Sequence, residues 1–297
     1  MIYPTNRQWS HELEILTETT YCDEVPIFSI VMPIHNQASI LYDVVTKIFI
    51  HTQGSYEIFF ILDDCTDTSC DELLRAVQPI PKGLYKLTIV SSASGIFETS
   101  CDNLGFVNSR GKYIIEIQAD MQIQTFGYNV LLAMPLEIYS DLIAVSGRCC
   151  HTLTTPHTGV GKLGNRVEQP HNLPFDKYNQ IFLSHTVNRG PLAIRRSMLE
   201  ELGYLDEYNF VLENDEHDLF YRAWTQKKWR TAFYPIEVYS PLSWGSTRKP
   251  RPPHVQAYLD NRRRKVPSYN PSLLPPSLES RSLPNEQQYK AIQSMSL

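Results

Sequence analysis

Short apolar runs alternate with amphipathic stretches along most of this chain. The run Ile27 to Met32 is rich in β-branched residues and ends at Pro33, which is typical of a buried parallel strand. Residues 39–49 then place apolar side chains at helical spacing. The same order recurs, with strands predicted over 58–62, 87–90, 113–117 and 142–145, and helices over 69–77 and 96–109. The alternation predicts an α/β fold with a mostly parallel sheet flanked by helices.

Three stretches depart from this alternation. Residues 1–25 are polar and are predicted to form a helical or loose lead-in, and residues 148–190 are predicted to be mostly loops. Residues 247–297 are basic and rich in proline, so we predict an extended or partly ordered tail. Between the second and third stretches, regular structure is predicted to resume over 192–194, 197–202, 215–226 and 231–234. One domain over residues 26–246 is therefore expected.

Composition and charge narrow the class of protein. The chain of 297 residues is 42% hydrophobic and 20% charged, as in an ordinary globular protein. A formal net charge of −5 argues against a nucleic-acid partner. No apolar stretch approaches the ~20 residues of a membrane helix, and the first residues lack a signal-peptide layout. The six cysteines form no CxxC pair. We expect a cytoplasmic protein without a membrane span, and the sequence does not indicate an oligomeric state.

Acidic residues follow several of the predicted strands and begin one predicted helix. Asp63 and Asp64 end the second strand, and Asp120 follows the fourth. Ligands of such sheets bind beyond the carboxyl ends of the strands, and carboxylates there can hold Mg²⁺ or Mn²⁺. Asp63 and Asp64 are equally consistent with capping the next helix. Asp215 and Glu216 suit the start of a helix through its dipole, and a carboxylate there can also act as a general base.

Two further patterns carry little weight. Residues 159–164 match GxGxxG, but no predicted strand precedes them, as a dinucleotide-binding turn requires. Four histidines of the same region lack the spacing of a zinc site, and they are interpreted as polar loop residues, one of them suited to binding substrate: His151, His157, His171 and His185.

Taken in order, five segments resemble glycosyltransferase family 2, the inverting enzymes of the GT-A fold. Phe28–Asn36 is similar to the family's opening SIVIPVYN strand, and Glu57–Ser69 to its EIIVVDDGSTDGT segment. Asn103–Ile114 is similar to RNxG…GEYI, Arg195–Glu207 to RRS…LGGFDE, and Asp215–Arg222 to EDVDLxxR. The resemblance covers roughly residues 27–235.

The resemblance implies a nucleotide-sugar donor, with a UDP-sugar favoured, and a glycan, protein or lipid-linked acceptor. Residues 26–147 would form the donor-binding half and residues 148–246 the acceptor half. The implied nucleotide-binding residues all lie in the first half: Pro33, His35, Asn36, Asp63, Asp64 and Asn103.

The same resemblance implies the chemistry. Asp120 would hold a Mn²⁺ or Mg²⁺ ion on the diphosphate. Glu216, or its neighbour Asp215, would deprotonate the acceptor hydroxyl, and a single displacement would invert the anomeric carbon. Arg189 and Gly190 would lie beside the acceptor.

The chain also departs from the family's pattern. Gln118 stands at the first acidic position of the metal-binding DxD motif, Asp102 where a phosphate-binding arginine is frequent, and Ser240 near a frequent metal-binding histidine. The Glu-Asp pair is reversed at 215–216. These losses motivate an alternative hypothesis, a catalytically degenerate protein that binds sugar nucleotides or glycans. A nucleotidyltransferase ranks lower because no glycine-rich phosphate loop with a lysine follows the first strand.

Overall fold

The computed structural model describes residues 13–153, 163–164, 179–212, 214–241, 243–245, 253, 256–257, 260, 269–276 and 279–296. The first half of the chain contains the elements β1 (Leu13–Thr20), β2 (Phe28–Ile34), α1 (Ala38–His51), β3 (Tyr56–Asp63), α2 (Ser69–Ala76), β4 (Leu84–Ser92), α3 (Phe97–Asn108), β5 (Tyr113–Glu116), β6 (Gln122–Ile123), α4 (Tyr128–Ile138) and β7 (Leu142–Ser146).

The second half contains β8 (Cys149–His151), β9 (Leu163–Gly164), β10 (Gln180–Ser184), β11 (Thr186–Val187), β12 (Leu192–Arg195), α5 (Arg196–Leu202), α6 (Asp215–Lys227), β13 (Arg230–Phe233), β14 (Val238–Tyr239), a 3₁₀ turn (Pro271–Leu273), β15 (Glu279–Ser282) and α7 (Asn285–Ser296).

The central sheet has ten strands in the order β1-β4-β3-β2-β5-β12-β7-β13-β10-β15. Strands β4, β3, β2 and β5 form a continuous parallel block. Strand β12 is antiparallel to both of its neighbours, β5 and β7. Following the pairings across the sheet, only β1, β12 and β10 oppose the common direction, so seven of the ten strands share it. The predicted α/β fold with a mostly parallel sheet is confirmed.

Each face of the sheet carries its own apolar layer. Alternate side chains of β2 divide between the layers, with Ile30 and Met32 on one face and Val31 on the other. Helices α1 and α4 cover the first face. Helices α3 and α6 cover the second. Because both faces are buried, the central strands are apolar throughout, which made them easy to predict.

The three stretches without alternation contain more regular structure than predicted. Residues 13–20 are not a helical or loose lead-in, because β1 pairs with β4 as an edge strand. The region 148–190 contributes β8 to β11. In the tail, β15 pairs with β10 and α7 packs against α4, with Ala291 and Met295 buried four residues apart on one helix face. Polar neighbours hid this short apolar stripe in the sequence. The division into halves at residue 147 stays a prediction.

No helix in the described parts of the chain combines the length and the apolar composition needed to cross a membrane. All six cysteines are free thiols.

Candidate active site at the carboxyl edge of the sheet

Two strand-end loops at the carboxyl edge of the sheet are bonded to each other. The side-chain oxygen of Asn36, after β2, accepts hydrogen bonds from the backbone N–H groups of Thr66 (2.8 Å) and Asp67 (3.2 Å), after β3. Nδ1 of His35 donates to the backbone oxygen of Asp63 at 2.7 Å. Asn36 and Asp64 both adopt left-handed backbone angles, with φ of 51° and 48°, which turn the chain at this edge. The structure therefore brings His35, Asn36 and Asp64 together.

Two of the residues predicted to bind the nucleotide are partly exposed: Pro33 on β2 and Asp64 just after β3. Pro33 lies within β2 opposite Ile61. Asp64 donates its backbone N–H to the oxygen of Ser92 at 3.0 Å, and its side chain lies beside Gly95. The Asp64 carboxylate therefore lies among three strand-end loops, those after β2, β3 and β4.

Asp63 has a different role from its neighbour. Its buried carboxylate accepts hydrogen bonds from the backbone N–H groups of Ile96 (2.7 Å) and Phe97 (3.0 Å), where α3 begins. Burial raises the pKa of Asp63 to about 6, against the opposing effect of these two hydrogen bonds. Both oxygens of Asp63 cap the start of α3, and its role in nucleotide binding stays a prediction.

Asn103 is also structural. It is buried in α3, where its amide nitrogen donates to the Leu205 oxygen and to the Glu207 carboxylate, both at 2.9 Å. Its amide oxygen accepts from the Leu205 N–H at 3.1 Å. These bonds occupy the side chain, and the role of Asn103 in nucleotide binding stays a prediction. Asn103 fastens the loop before α6 to α3.

An acidic cluster, made of Glu98, Asp102 and Glu116, lies between α3 and β5. Each residue offers one carboxylate oxygen, and these oxygens lie within 4.8 Å of one another. Burial is the main cause that raises the pKa of Asp102, to about 8, and of Glu116, well above its ordinary value. Glu98 and Asp102 are four residues apart and share a face of α3.

Sequence analysis missed this cluster, although a signal was present. Glu116 interrupts the apolar run Tyr113–Ile117, and the alternation of β5 places it beside Ile114 on the face covered by α3. A charged residue inside a strand that is buried on both faces requires a specific partner.

Arg189 joins the acidic cluster to α6. Its guanidinium lies 3.2 Å from Glu98 and 3.1 Å from Asp102, and it also pairs with Asp215. The next residue, Gly190, donates its N–H to the Glu116 carboxylate at 3.1 Å. Both residues are buried, and their role in acceptor binding stays a prediction. They connect α3, β5 and α6.

Asp215 and Glu216 are neighbours in sequence but lie in different environments. Asp215 is fully buried, where Thr99, Arg189 and the Glu216 N–H all donate to its carboxylate. The Glu216 side chain keeps 12% exposure. Burial raises the pKa of Glu216, but His217 and Arg189 outweigh that effect and hold it below the ordinary value. Of the two predicted bases, Glu216 is the more exposed, and its role as the base stays a prediction.

The metal-binding motif retains one carboxylate. Asp120 lies half-buried in the turn between β5 and β6. Gln118 uses both ends of its amide, donating to Glu98 at 2.9 Å and accepting from Arg148 at 3.1 Å. Pairing of β6 with β14 brings Ser240 close to this turn. The amide of Gln118 therefore holds this turn in place, and metal binding by Asp120 stays a prediction.

A continuous series of contacts links the predicted motifs at one edge of the sheet. Asp63 bonds to the residues just before Glu98, Glu98 contacts both Gln118 and Arg189, and Arg189 pairs with Asp215 beside Glu216. Segments that are far apart in the chain thus converge. The contacts bring together carboxylates of α3 and α6, and carboxylates are ligands that hard cations prefer.

The fold is that of GT-A-type glycosyltransferases. The mannosyltransferase PcManGT from Pyrobaculum calidifontis, solved with GDP-Man and Mn²⁺, is similar to this chain with a TM-score of 0.53 at 15% identity, over 72% of this chain and 56% of that one. The 1–349 form of S. aureus TarS gives a TM-score of 0.50 at 10% identity, over 72% of this chain and 60% of TarS, and so does its UDP complex. The chain spans less than two thirds of the length of either. No protein-family model and no curated protein matches the sequence.

Proposed function

We propose that this chain is a glycosyltransferase that moves a sugar from a nucleoside-diphosphate donor, with a UDP-sugar favoured, to a hydroxyl group of an acceptor. The acceptor would be a glycan, a protein or a lipid-linked molecule. The observation that supports the proposal is the series of contacts that links the end of β3, the turn before β6 and the start of α6. The likeness in fold to enzymes solved with GDP-Man or UDP supports it.

The nucleotide would lie against the bonded loops after β2 and β3. Asp64 offers a partly exposed carboxylate there, which can accept the N3–H of a uracil base. Pro33 and His35 lie beside it. Since Asn36 already fixes the two loops to each other, little order has to be gained when the base binds.

A divalent ion, Mn²⁺ or Mg²⁺, would be held by Asp120. The surroundings fit such an ion, because the hydroxyl oxygen of Ser240 is buried and has no hydrogen-bond partner among the described residues. Diphosphate oxygens and waters supply the remaining ligands of ions of this kind. When bound, the ion offsets the charge of the diphosphate leaving group.

Glu216 would act as the general base. Its lowered pKa keeps it ionised at neutral pH, so it can take the proton of the acceptor hydroxyl. The acceptor oxygen forms a bond to the anomeric carbon while the bond from that carbon to the diphosphate oxygen breaks, and the nucleoside diphosphate leaves with the bonding electron pair. A single displacement of this kind inverts the anomeric centre.

The proposal is tested by a screen of nucleotide sugars with Mn²⁺, in which release of nucleoside diphosphate is measured. Glu216→Gln is expected to lower kcat at least about 100-fold, because the amide cannot accept the proton. Glu200→Gln, on the exposed face of α5, is the matched control and keeps the wild-type rate. Asp120→Asn is expected to raise the Mn²⁺ requirement. A Glu216→Gln rate equal to the control would remove the mechanism.

The second candidate function is a catalytically degenerate binder of sugar nucleotides. The observation that favours it is the environment of Gln118. Its amide bonds to Glu98 and Arg148, so it does not take the place of the missing acidic metal ligand. Calorimetry distinguishes the two functions. Donor binding without turnover, across acceptors of all three classes, would favour the binder.

A further inference from the structure

The buried charges around Arg189 do not balance. Its guanidinium contacts Glu98, Asp102 and Asp215, and a fourth carboxylate, Glu116, lies against the first two. Asp102 and Asp215 are fully buried, and Glu116 is 1% exposed. One guanidinium offsets one carboxylate. Carboxyl groups buried together repel one another once they are ionised, so a further positive charge would stabilise their ionised forms.

Unused oxygen atoms point to where that charge would bind. Oδ1 of Asp102 and Oε1 of Glu116 have no hydrogen-bond partner in the described parts of the chain, whereas Oδ2 of Asp102 lies 3.1 Å from the Arg189 guanidinium. Buried polar atoms of a folded protein are almost always satisfied, so atoms of this kind indicate a missing partner. A cation suits these atoms, because a carboxylate that is ionised offers only acceptor oxygens.

The spacing of these oxygens suits a metal ion. Oxygens of the acidic cluster lie within 4.8 Å of one another. Two ligands of one hard divalent ion, each about 2.0–2.6 Å from it, are separated by at most about 4–5 Å. The ligands would come from α3 and β5, which are held on the sheet by the two apolar layers. The site would therefore be largely preformed.

We propose that the acidic cluster of Glu98, Asp102 and Glu116 binds a hard divalent cation of the Mn²⁺, Mg²⁺ or Ca²⁺ class without any nucleotide. Asp120, which would hold the ion on a diphosphate, is not one of these three residues. The ion would fix α3 to β5 and, through Arg189 and Asp215, the start of α6 that carries Glu216. The inference goes beyond the proposed function, since it requires neither donor nor acceptor.

The test is a titration of the nucleotide-free full chain with MnCl₂, followed by the electron paramagnetic resonance signal of free Mn²⁺, with Ca²⁺ and Mg²⁺ as competitors. The wild type is expected to bind one ion. Asp102→Asn and Glu116→Gln are expected to weaken binding at least 10-fold, while the matched control Glu200→Gln, on α5, leaves it unchanged. No binding by the wild type, or loss of binding in Asp120→Asn alone, would overturn the proposal.

Thermal unfolding separates loss of the site from misfolding. Mn²⁺ is expected to raise the Tm of the wild type but not that of Glu116→Gln. In EDTA, Glu116→Gln is expected to melt at or above the wild type, because the amide removes one of the excess negative charges. A lower Tm of Glu116→Gln in EDTA would contradict the charge argument and overturn the proposal. No nucleotide sugar is present, so a failure of the proposed transfer activity would leave both measurements intact.

Discussion

Arg189 and Asp215 form a buried ion pair that joins the segment before β12 to the first turn of α6. The same guanidinium contacts Glu98 and Asp102 on α3. The pair therefore couples the helix that carries the candidate base to the acidic cluster. Because the pair connects elements that meet at the carboxyl edge of the sheet, we expect it to stabilise the candidate site.

Replacing Arg189 by methionine keeps most of the side-chain volume and removes the charge. We expect a loss of about 3–5 kcal/mol in the free energy of unfolding, because several buried carboxylates lose their partner. Urea unfolding at neutral pH measures it. The control is Lys290→Met, which breaks the exposed pair of Lys290 with Glu286 on α7 and should cost about 0.5 kcal/mol or less. Equal losses in the two variants would contradict the importance given to Arg189.

Gly190 is expected to tolerate no side chain. Its φ is 68°, and an added Cβ would lie 2.3 Å from the sulfur of Met121. Gly203 has a similar φ of 80° but open space around the same position. Gly203→Ala should therefore cost about 1–2 kcal/mol for backbone strain alone. Gly190→Ala should cost about 1–3 kcal/mol more, from overpacking beside the metal-binding motif.

The difference between the two alanine variants in chemical unfolding isolates the steric part of the effect. Gly190→Ala is also expected to lower the transfer rate, since it would displace the turn that carries Gln118 and Asp120. Similar stability of both variants would show that the Met121 side chain moves away freely.

The pH dependence of transfer follows from the environment of Glu216. Burial raises the pKa of its carboxyl, but His217, Arg189 and His151, with a backbone hydrogen bond, lower it below the ordinary value. A general base is active when deprotonated, so a lowered pKa moves the acid limb of the rate profile to lower pH. The pKa of an ordinary glutamate is about 4.3, so kcat/KM should stay constant from pH 8 to about pH 5.

His217→Gln removes the largest of the effects that lower this pKa and should shift the acid limb to higher pH. The profile of kcat/KM against pH, measured for both proteins at saturating metal, checks the shift. An identical acid limb in the two proteins would show that His217 does not act on Glu216.

The parallel block of the sheet could be predicted because its strands are buried on both faces. Their apolar runs, such as Ile58 to Leu62, contrast clearly with the amphipathic helices between them. The edge strands could not be predicted in the same way. Strand β1 exposes most of its side chains, and β15 is polar, so neither shows an apolar run. Their place in the sheet depends on backbone pairing with β4 and β10, which leaves no local pattern.

The candidate site could be located from the sequence, but the role of each residue could not. Adjacent acids are alike in sequence, yet Asp63 caps α3 while Asp64 stays partly exposed. In the second pair, the Asp215 carboxylate accepts hydrogen bonds from Arg189 and Thr99, whereas the Glu216 side chain keeps 12% exposure. Such divisions depend on which side chain faces the core, and contacts between distant segments decide that.

Asn36 and Asn103 provide a direct test of this separation between binding and structure. Asn36 fixes the two strand-end loops beside the proposed nucleotide site, while Asn103 fastens residues 205–207 to α3 from a buried position. Asn103→Leu leaves the Leu205 N–H and C=O without their partner, which should cost about 1–3 kcal/mol of stability with the donor Kd unchanged. Asn36→Gly preserves the left-handed backbone and removes the bonds between the loops.

The Asn36→Gly variant is therefore expected to raise the Kd of UDP several-fold with little change in stability, because ordering the loops then adds to the cost of binding. Calorimetric titration with UDP and urea unfolding of both variants give the four values needed. The opposite pattern, with UDP affinity reduced by Asn103→Leu and intact in Asn36→Gly, would return Asn103 to the nucleotide site. It would also place the uracil base of UDP away from the loops after β2 and β3.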